Sequence, residues 1–198
     1  MLTDGPTPLA AELAALVTEY RAQGRFAQLR EELQRVARQA TPDALVIAAE
    51  EFREEPQLAA PLYEVVVEAQ PNNARAMVLL ANAYWLLGAG PEAVAPLATR
   101  AMEVDPQNRG AWHLWALAES DPRQRAYRWR QVTERFPGDD LAVANFADNA
   151  AAVASAEKDY EMLDLAIHAY EGLLARAEHA TQRQALETAL QALRGWKF

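Results

Sequence analysis

No cysteine occurs among the 198 residues, so disulfides, thiolate zinc sites and cysteine nucleophiles are all excluded. Glycine is scarce, with 8 residues, and valine and isoleucine are thin beside alanine and leucine, which leans the composition away from sheet and toward helix. No window approaches the roughly 18 consecutive apolar residues that a spanning helix requires. The first residues, MLTDGPTPLAAELAALV, carry no basic region and are interrupted by Glu12, so neither a signal peptide nor a membrane anchor is expected and a cytoplasmic location follows. Positive charge is also in deficit. A formal charge of -9 repels polyanions unless basic residues are concentrated locally, which disfavours nucleic acid as a partner.

What is present is apolar and repetitive. Hydrophobic residues make up 51% of the chain, enough for a sizeable core. Three proline pairs, Pro56 to Pro71, Pro91 to Pro106 and Pro122 to Pro137, each enclose fourteen residues. The first two copies, PQLAAPLYEVVVEAQPNN and PEAVAPLATRAMEVDPQN, also share Ala60 with Ala95, Pro61 with Pro96, Leu62 with Leu97, Glu68 with Glu103 and Asn73 with Asn108. The third, PRQRAYRWRQVTERFPGD, keeps Ala126 and Glu134.

Proline is tolerated in the first turn of a helix and terminates one when it arrives later, so each interval predicts one helix of about four turns. Asp121 suits an N-cap ahead of Pro122, and Gly88 and Gly90 suit a left-handed exit from the preceding helix. Pro61 and Pro96 fall five residues further on. Either these helices begin nearer Leu58 and Val94, or both copies carry a bend; the first-turn reading is the expectation. Between the intervals lie partner helices, with Ala76, Met77, Leu80, Ala81 and Tyr84 aligning with Ala111, Trp112, Trp115, Ala116 and Glu119. The repeat starts are 35 and then 31 residues apart, and the difference falls in the hairpin turn, where LLGAGP gives way to SDP.

The stretch from Asn73 to Asn108 resembles a tetratricopeptide repeat. Leu80 and Ala81 occupy the family's Leu-Gly positions, Tyr84 its aromatic, Ala93 and Ala101 its small residues, and Pro106 its closing proline; Trp112 stands at the family's Trp position in the next copy. The departures are one extra residue in the second helix and Ala81 in place of glycine. Weaker copies flank these. Leu9, Leu13, Leu16, Val17 and Tyr20, then Gly24, Phe26, Leu29, Leu33 and Val36, predict a first hairpin, and Thr41-Pro42 opens the next. Leu141 to Ser155 and Tyr160 to Ala177 predict a fifth pair with a longer connection, and Thr181 to Arg194 a lone final helix.

The expected fold is therefore an all-α solenoid in a single domain, 1–198. Its hairpins lie at roughly 7–39, 42–70, 73–105, 108–136 and 140–177, with a capping helix at 181–194.

The resemblance implies a non-enzymatic adaptor that holds a peptide or helix of a partner protein in a concave groove. The family's groove positions correspond to Arg75, Val78, Asn82 and Trp85, then His113 and Leu117, then Asp148. In that reading Asn82 pairs with a peptide backbone, Arg75 with a carboxylate and Trp85 with an apolar side chain. The Lys and Asn set with which some members clamp a terminal carboxylate is not present.

Arg123, Arg125, Arg128, Arg130 and Arg135, interleaved with Tyr127 and Trp129, form the one basic run. On a helical wheel Ala126, Trp129, Val132, Thr133 and Phe136 share one side while the arginines spread around the rest, which predicts a solvated face paired with acids rather than an anion site. The acidic cluster Glu50, Glu51, Glu54 and Glu55 is read the same way. His113, His168 and His179 have no metal-ligand spacing, Asp139-Asp140 reads as a helix cap, and no phosphate loop or nucleophile elbow occurs. No cofactor is expected. The alternative functional class is self-assembly through an apolar end, Trp196 and Phe198, giving a homo-oligomer; an enzyme would need a site built from residues without a recognisable pattern.

Overall fold

A computed structural model describes residues 7–197, so Phe198 of the proposed apolar end lies outside the described residues, as does the side chain of Phe26. Every described element is helical. The helices are α1 (Pro8–Ala22), α2 (Phe26–Ala37), α3 (Pro42–Ala49), α4 (Pro56–Ala69), α5 (Ala74–Leu86), α6 (Pro91–Val104), α7 (Arg109–Leu117), α8 (Pro122–Arg135), α9 (Asp140–Glu157), α10 (Tyr160–Arg176) and α11 (Ala180–Arg194), with a 3-10 turn over Glu50–Phe52. They group into two compact units, Met1–Leu114 and Trp115–Phe198.

The proline intervals become one recurring joint. Gln70, Asp105 and Phe136, each preceding a proline, leave the helix with φ of -127°, -133° and -129°, the extended region that a following proline imposes. Their amides still close the last turns, on the carbonyls of Val66, Ala101 and Val132 at 2.8, 2.9 and 2.8 Å. Two residues beyond each proline the side chain of Asn73, Asn108 or Asp139 caps the next helix, accepting from the amides of Ala76, Ala111 and Ala142 at 2.9, 3.2 and 3.2 Å. The shared asparagines of the sequence repeat are thus helix caps, and Asp139 is their counterpart in the third copy. The expected cap at Asp121 forms as well, on the amide of Gln124 at 2.8 Å.

The turn between α5 and α6 needs left-handed backbone. Gly88 and Gly90 have φ of 69° and 85°, and the amides of Gly88 and Ala89 reach back to the carbonyls of Trp85 and Tyr84, both at 3.0 Å, closing a Schellman motif.

Two expectations are corrected. Pro61 and Pro96 are not first-turn residues: α4 and α6 start at Pro56 and Pro91, and both later prolines lie inside the helix. Pro56 and Pro91 already supply helical φ, and the first turns close on Glu55 and Gly90. The missing amide at each interior proline leaves only the carbonyl of Gln57 or Glu92 without its helical donor, and neither residue is buried from water. The connection in the last pair is also shorter than expected, because α9 and α10 extend until only Lys158 and Asp159 separate them. Lys158 takes the left-handed conformation, φ 56°, and Asp159 caps α10 through the amides of Glu161 and Met162 at 2.9 and 3.1 Å.

In the first unit α1 packs on α2 and α3, α2 and α3 on α4, α4 on α5, and α5 on α6. Leu13, Leu33, Leu45, Leu62, Val66 and Met77 are fully buried there. Alanine occupies the closest helix approaches, with Ala48, Ala49, Ala60, Ala76 and Ala81 wholly inaccessible. In the second unit α8 packs on α9, α9 on α10, and α10 on α11, around Trp129, Val132, Val153, Met162 and Leu163.

Candidate partner-binding faces

Helix α5 sorts its residues by face. Ala74, Ala76, Met77, Leu80, Ala81 and Ala83 are buried, while Arg75, Asn82 and Trp85 are exposed and Val78 is half-buried. Spacings of three, seven and ten residues place Arg75, Val78, Asn82 and Trp85 within one stripe of the helix, so four expected site residues do share a surface. Two of them are engaged. Arg75 approaches Glu50 at 3.3 Å. Val78 fills the space over Gly110, where an added methyl would meet its Cγ1 at 3.1 Å.

Of the remaining expected residues, His113 and Leu117 are half-buried in α7, and Asp148 is exposed on α9, where it accepts the hydroxyl of Tyr170. Burial, with the hydrogen bond to Asp148 second, raises the Tyr170 phenol above its ordinary range.

The basic run of α8 is directed inward to its own unit, with acids among its partners, as the wheel predicts. Ala126, Trp129 and Val132 are buried. Arg123 bonds Glu157 and Asp159, each at 2.6 Å. Arg125 donates to Asn149 and to the carbonyl of Glu119 at 2.8 and 3.0 Å. Arg128 meets Glu119 at 2.6 Å and lies over the ring of Trp115, 4.5 Å from its centroid. Arg130 pairs with Glu134 along the helix at 3.1 Å. The hydrogen bonds from Glu157 and Asp159 push Arg123 upward; Arg123, and then the Met162 amide, hold the Asp159 carboxyl below its usual range.

The first unit has an anionic counterpart in Glu64. It accepts Arg30 through both oxygens at 2.6 and 2.7 Å, Gln34 at 2.8 Å and the hydroxyl of Tyr84 at 2.7 Å, tying α2, α4 and α5 together. Burial first, and the Glu64 hydrogen bond second, raise Tyr84 to about 12. Tyr63, raised to about 12 chiefly by burial and then by Glu50, has no hydrogen-bond partner for its hydroxyl among the described residues.

Two concavities were not anticipated from the sequence. One, of about 600 Å3, lies in the second unit between α10 and α11, where Leu174 and Leu190 are flanked by Glu187, Arg183 and the Arg194–Glu171 pair. Arg183 is already bonded to the carbonyls of Leu174 and Ala177. The other, of about 420 Å3, lies in the first unit, with Leu29, Leu33, Leu58 and Leu87 as its apolar lining and Arg21 and Arg30 on its rim. Beside it, Trp85, Leu86 and Leu87 are three consecutive exposed large apolar residues. The sequence did carry a signal for them: LLGAGP is a hairpin turn without one polar side chain, where turns are ordinarily polar.

Among the described residues no group of His, Cys, Asp and Glu is placed to hold a metal ion, and no helix is long and apolar enough to cross a membrane. No protein-family model and no curated protein matches the sequence. Solved structures do. The crystal structure of MamA protein superposes with a TM-score of 0.59 at 14% identity, covering 87% of this chain and 97% of that one. TTC0263, a thermophilic TPR protein in Thermus thermophilus, gives 0.58 at 15% identity over 93% and 98% of the two chains. YrrB, described as a TPR protein with an unusual peptide-binding site, gives 0.57 at 20% identity over 92% of each. With the recurring proline joint, the capped hairpins and these superpositions, the chain has the tetratricopeptide-repeat fold.

Proposed function

We propose that this protein is a non-enzymatic interaction adaptor that receives an extended peptide or a helix of a partner protein along the exposed stripe of α5. The observation that carries the proposal is the stripe's chemistry. Arg75, Asn82 and Trp85 offer a charge, an amide with two donors and an acceptor, and an aromatic face on one rigid helix, while the opposite face is buried alanine, leucine and methionine. Such a set suits a peptide backbone with an acidic and an apolar side chain. His113, Leu117 and Asp148 belong to the same proposal as further contact positions. YrrB, with its peptide-binding site, is the kind of precedent the fold offers; chemistry at a site is a separate matter, because one fold hosts many functions.

The test is recovery of a partner from native extract on the immobilised protein, repeated with Asn82→Ala and Trp85→Ala. Loss of the partner with either variant, with unchanged helicity, supports the assignment. Equal recovery on all three removes the α5 stripe from the function.

A further inference from the structure

We propose that two copies of this chain associate about a two-fold axis through the C-terminal end of α5, each inserting Leu86 into the other's cavity beside Leu87. The surface carries both halves of such a contact. Leu86 is 59% exposed and projects from the last turn of α5, and its neighbour Leu87 lines the 420 Å3 concavity with Leu29, Leu33 and Leu58. A knob and an apolar hole side by side on one surface are what an isologous interface requires, since the same patch must serve on both partners. The knob is held by the Schellman turn and two positive-φ glycines, so little ordering entropy opposes docking.

Charge selects the occupant. Residues 81–90, ANAYWLLGAG, contain no acid and no basic side chain. The two arginines at the rim are already neutralised, Arg21 by Glu55 and Arg30 by Glu64. An acidic peptide would have to break those pairs, whereas a second copy meets the surface with its pairs intact. The remaining opposition is long-range, because each copy carries a formal charge of -9. Added salt screens that repulsion and leaves the apolar contact in place. Association should therefore strengthen with salt, the reverse of an interface held by opposite charges. The strip is small against the roughly 1,200 Å2 that stable interfaces bury, which places the dimer in the micromolar range or weaker.

Sedimentation equilibrium on the full chain, across concentration at low and high salt, tests this. The expected result is a monomer–dimer equilibrium that tightens with salt, is weakened at least roughly tenfold by Leu86→Glu and by Leu86→Ser, and is unchanged by Ile47→Glu. Ile47 is a fair control because it is 58% exposed in the same unit. A monomer at every concentration, a dimer that loosens with salt, or equal behaviour of the Leu86 and Ile47 variants would each overturn the proposal. Circular dichroism of the Leu86 variants separates lost association from lost fold.

Discussion

Helices α5 and α8 invite opposite readings and behave the other way round. α8 carries five arginines and two aromatics in fourteen residues and, as a string, is the obvious anion site. Four of those arginines, Arg123, Arg125, Arg128 and Arg130, are bonded within their own unit, to acids, an amide and backbone carbonyls. α5 has a single charge, Arg75, and looks like packing material, yet it presents the exposed polar stripe and runs out into three exposed apolar side chains. The lesson concerns period. Arg30 and Glu64, Arg21 and Glu55, and Arg123 and Glu157 are each 34 residues apart, about one repeat, and that spacing turns charges into staples between successive hairpins. A charge with an opposite charge one repeat away belongs to the fold. A residue with no such counterpart is available for something else.

The largest expected effect comes from breaking the anionic staple. Glu64→Ala removes the acceptor for Arg30, Gln34 and Tyr84 at a site whose side chain is only 18% exposed. Loss of about 2 kcal/mol in chemical denaturation is expected, well above the usual worth of an exposed pair, because a partly buried hydroxyl and a guanidinium lose their partner together. A loss no larger than that of Arg130→Ala, whose pair with Glu134 lies wholly on the surface, would make Glu64 an ordinary surface acid.

Alkaline pH comes next. Tyr63 and Tyr84 are both raised to about 12, against about 10 for an unfolded phenol. The folded state therefore holds these protons more tightly, and the stabilisation is complete below about pH 10 and drains away as pH rises toward about 12. Denaturation midpoints should fall steeply in that window, and Tyr84→Phe should flatten the fall. At the acid end the second unit gives way. Asp159 is held below its usual range by Arg123, so its contribution is present above about pH 4 and is lost as pH falls through the folded value. Thermal melts should show an acid limb that Asp159→Asn or Arg123→Gln reduces, with a smaller effect than at Glu64 because the pair is more open to solvent.

The hairpins, their prolines, the caps at Asp121 and Asp139 and the buried side of α8 were legible because each is a local rule applied at a fixed period. Pro61 and Pro96 were misread because the first-turn rule concerns amide bonding alone. It does not register that a lost bond near a helix start falls on a carbonyl close to water. The α9–α10 junction was misread because a non-glycine residue, Lys158, takes the left-handed exit. For the candidate site, the α5 stripe followed from spacing. That Arg75 reaches Glu50, that Asp148 accepts Tyr170 and that Glu64 gathers three donors depend on side-chain reach between helices, and no one-dimensional period encodes reach.

The smallest expected effect sharpens the same contrast within one unit. Tyr63 and Tyr84 are both tyrosines packed in the first unit and both titrate near 12, but only Tyr84 has a hydrogen-bond acceptor, Glu64, among the described residues. An unpartnered buried hydroxyl contributes nothing to offset its desolvation, so Tyr63→Phe keeps the packing and removes a polar group that gains nothing. Its stability should change by less than about 0.5 kcal/mol, or rise slightly, while Tyr84→Phe costs about 1 kcal/mol by leaving Glu64 one donor short. Equal losses for the two would mean that Tyr63 has found an acceptor. Glu50, whose charge acts on its phenol, is the first place to look, and the double variant Tyr63→Phe with Glu50→Gln would show it by being no worse than either change alone.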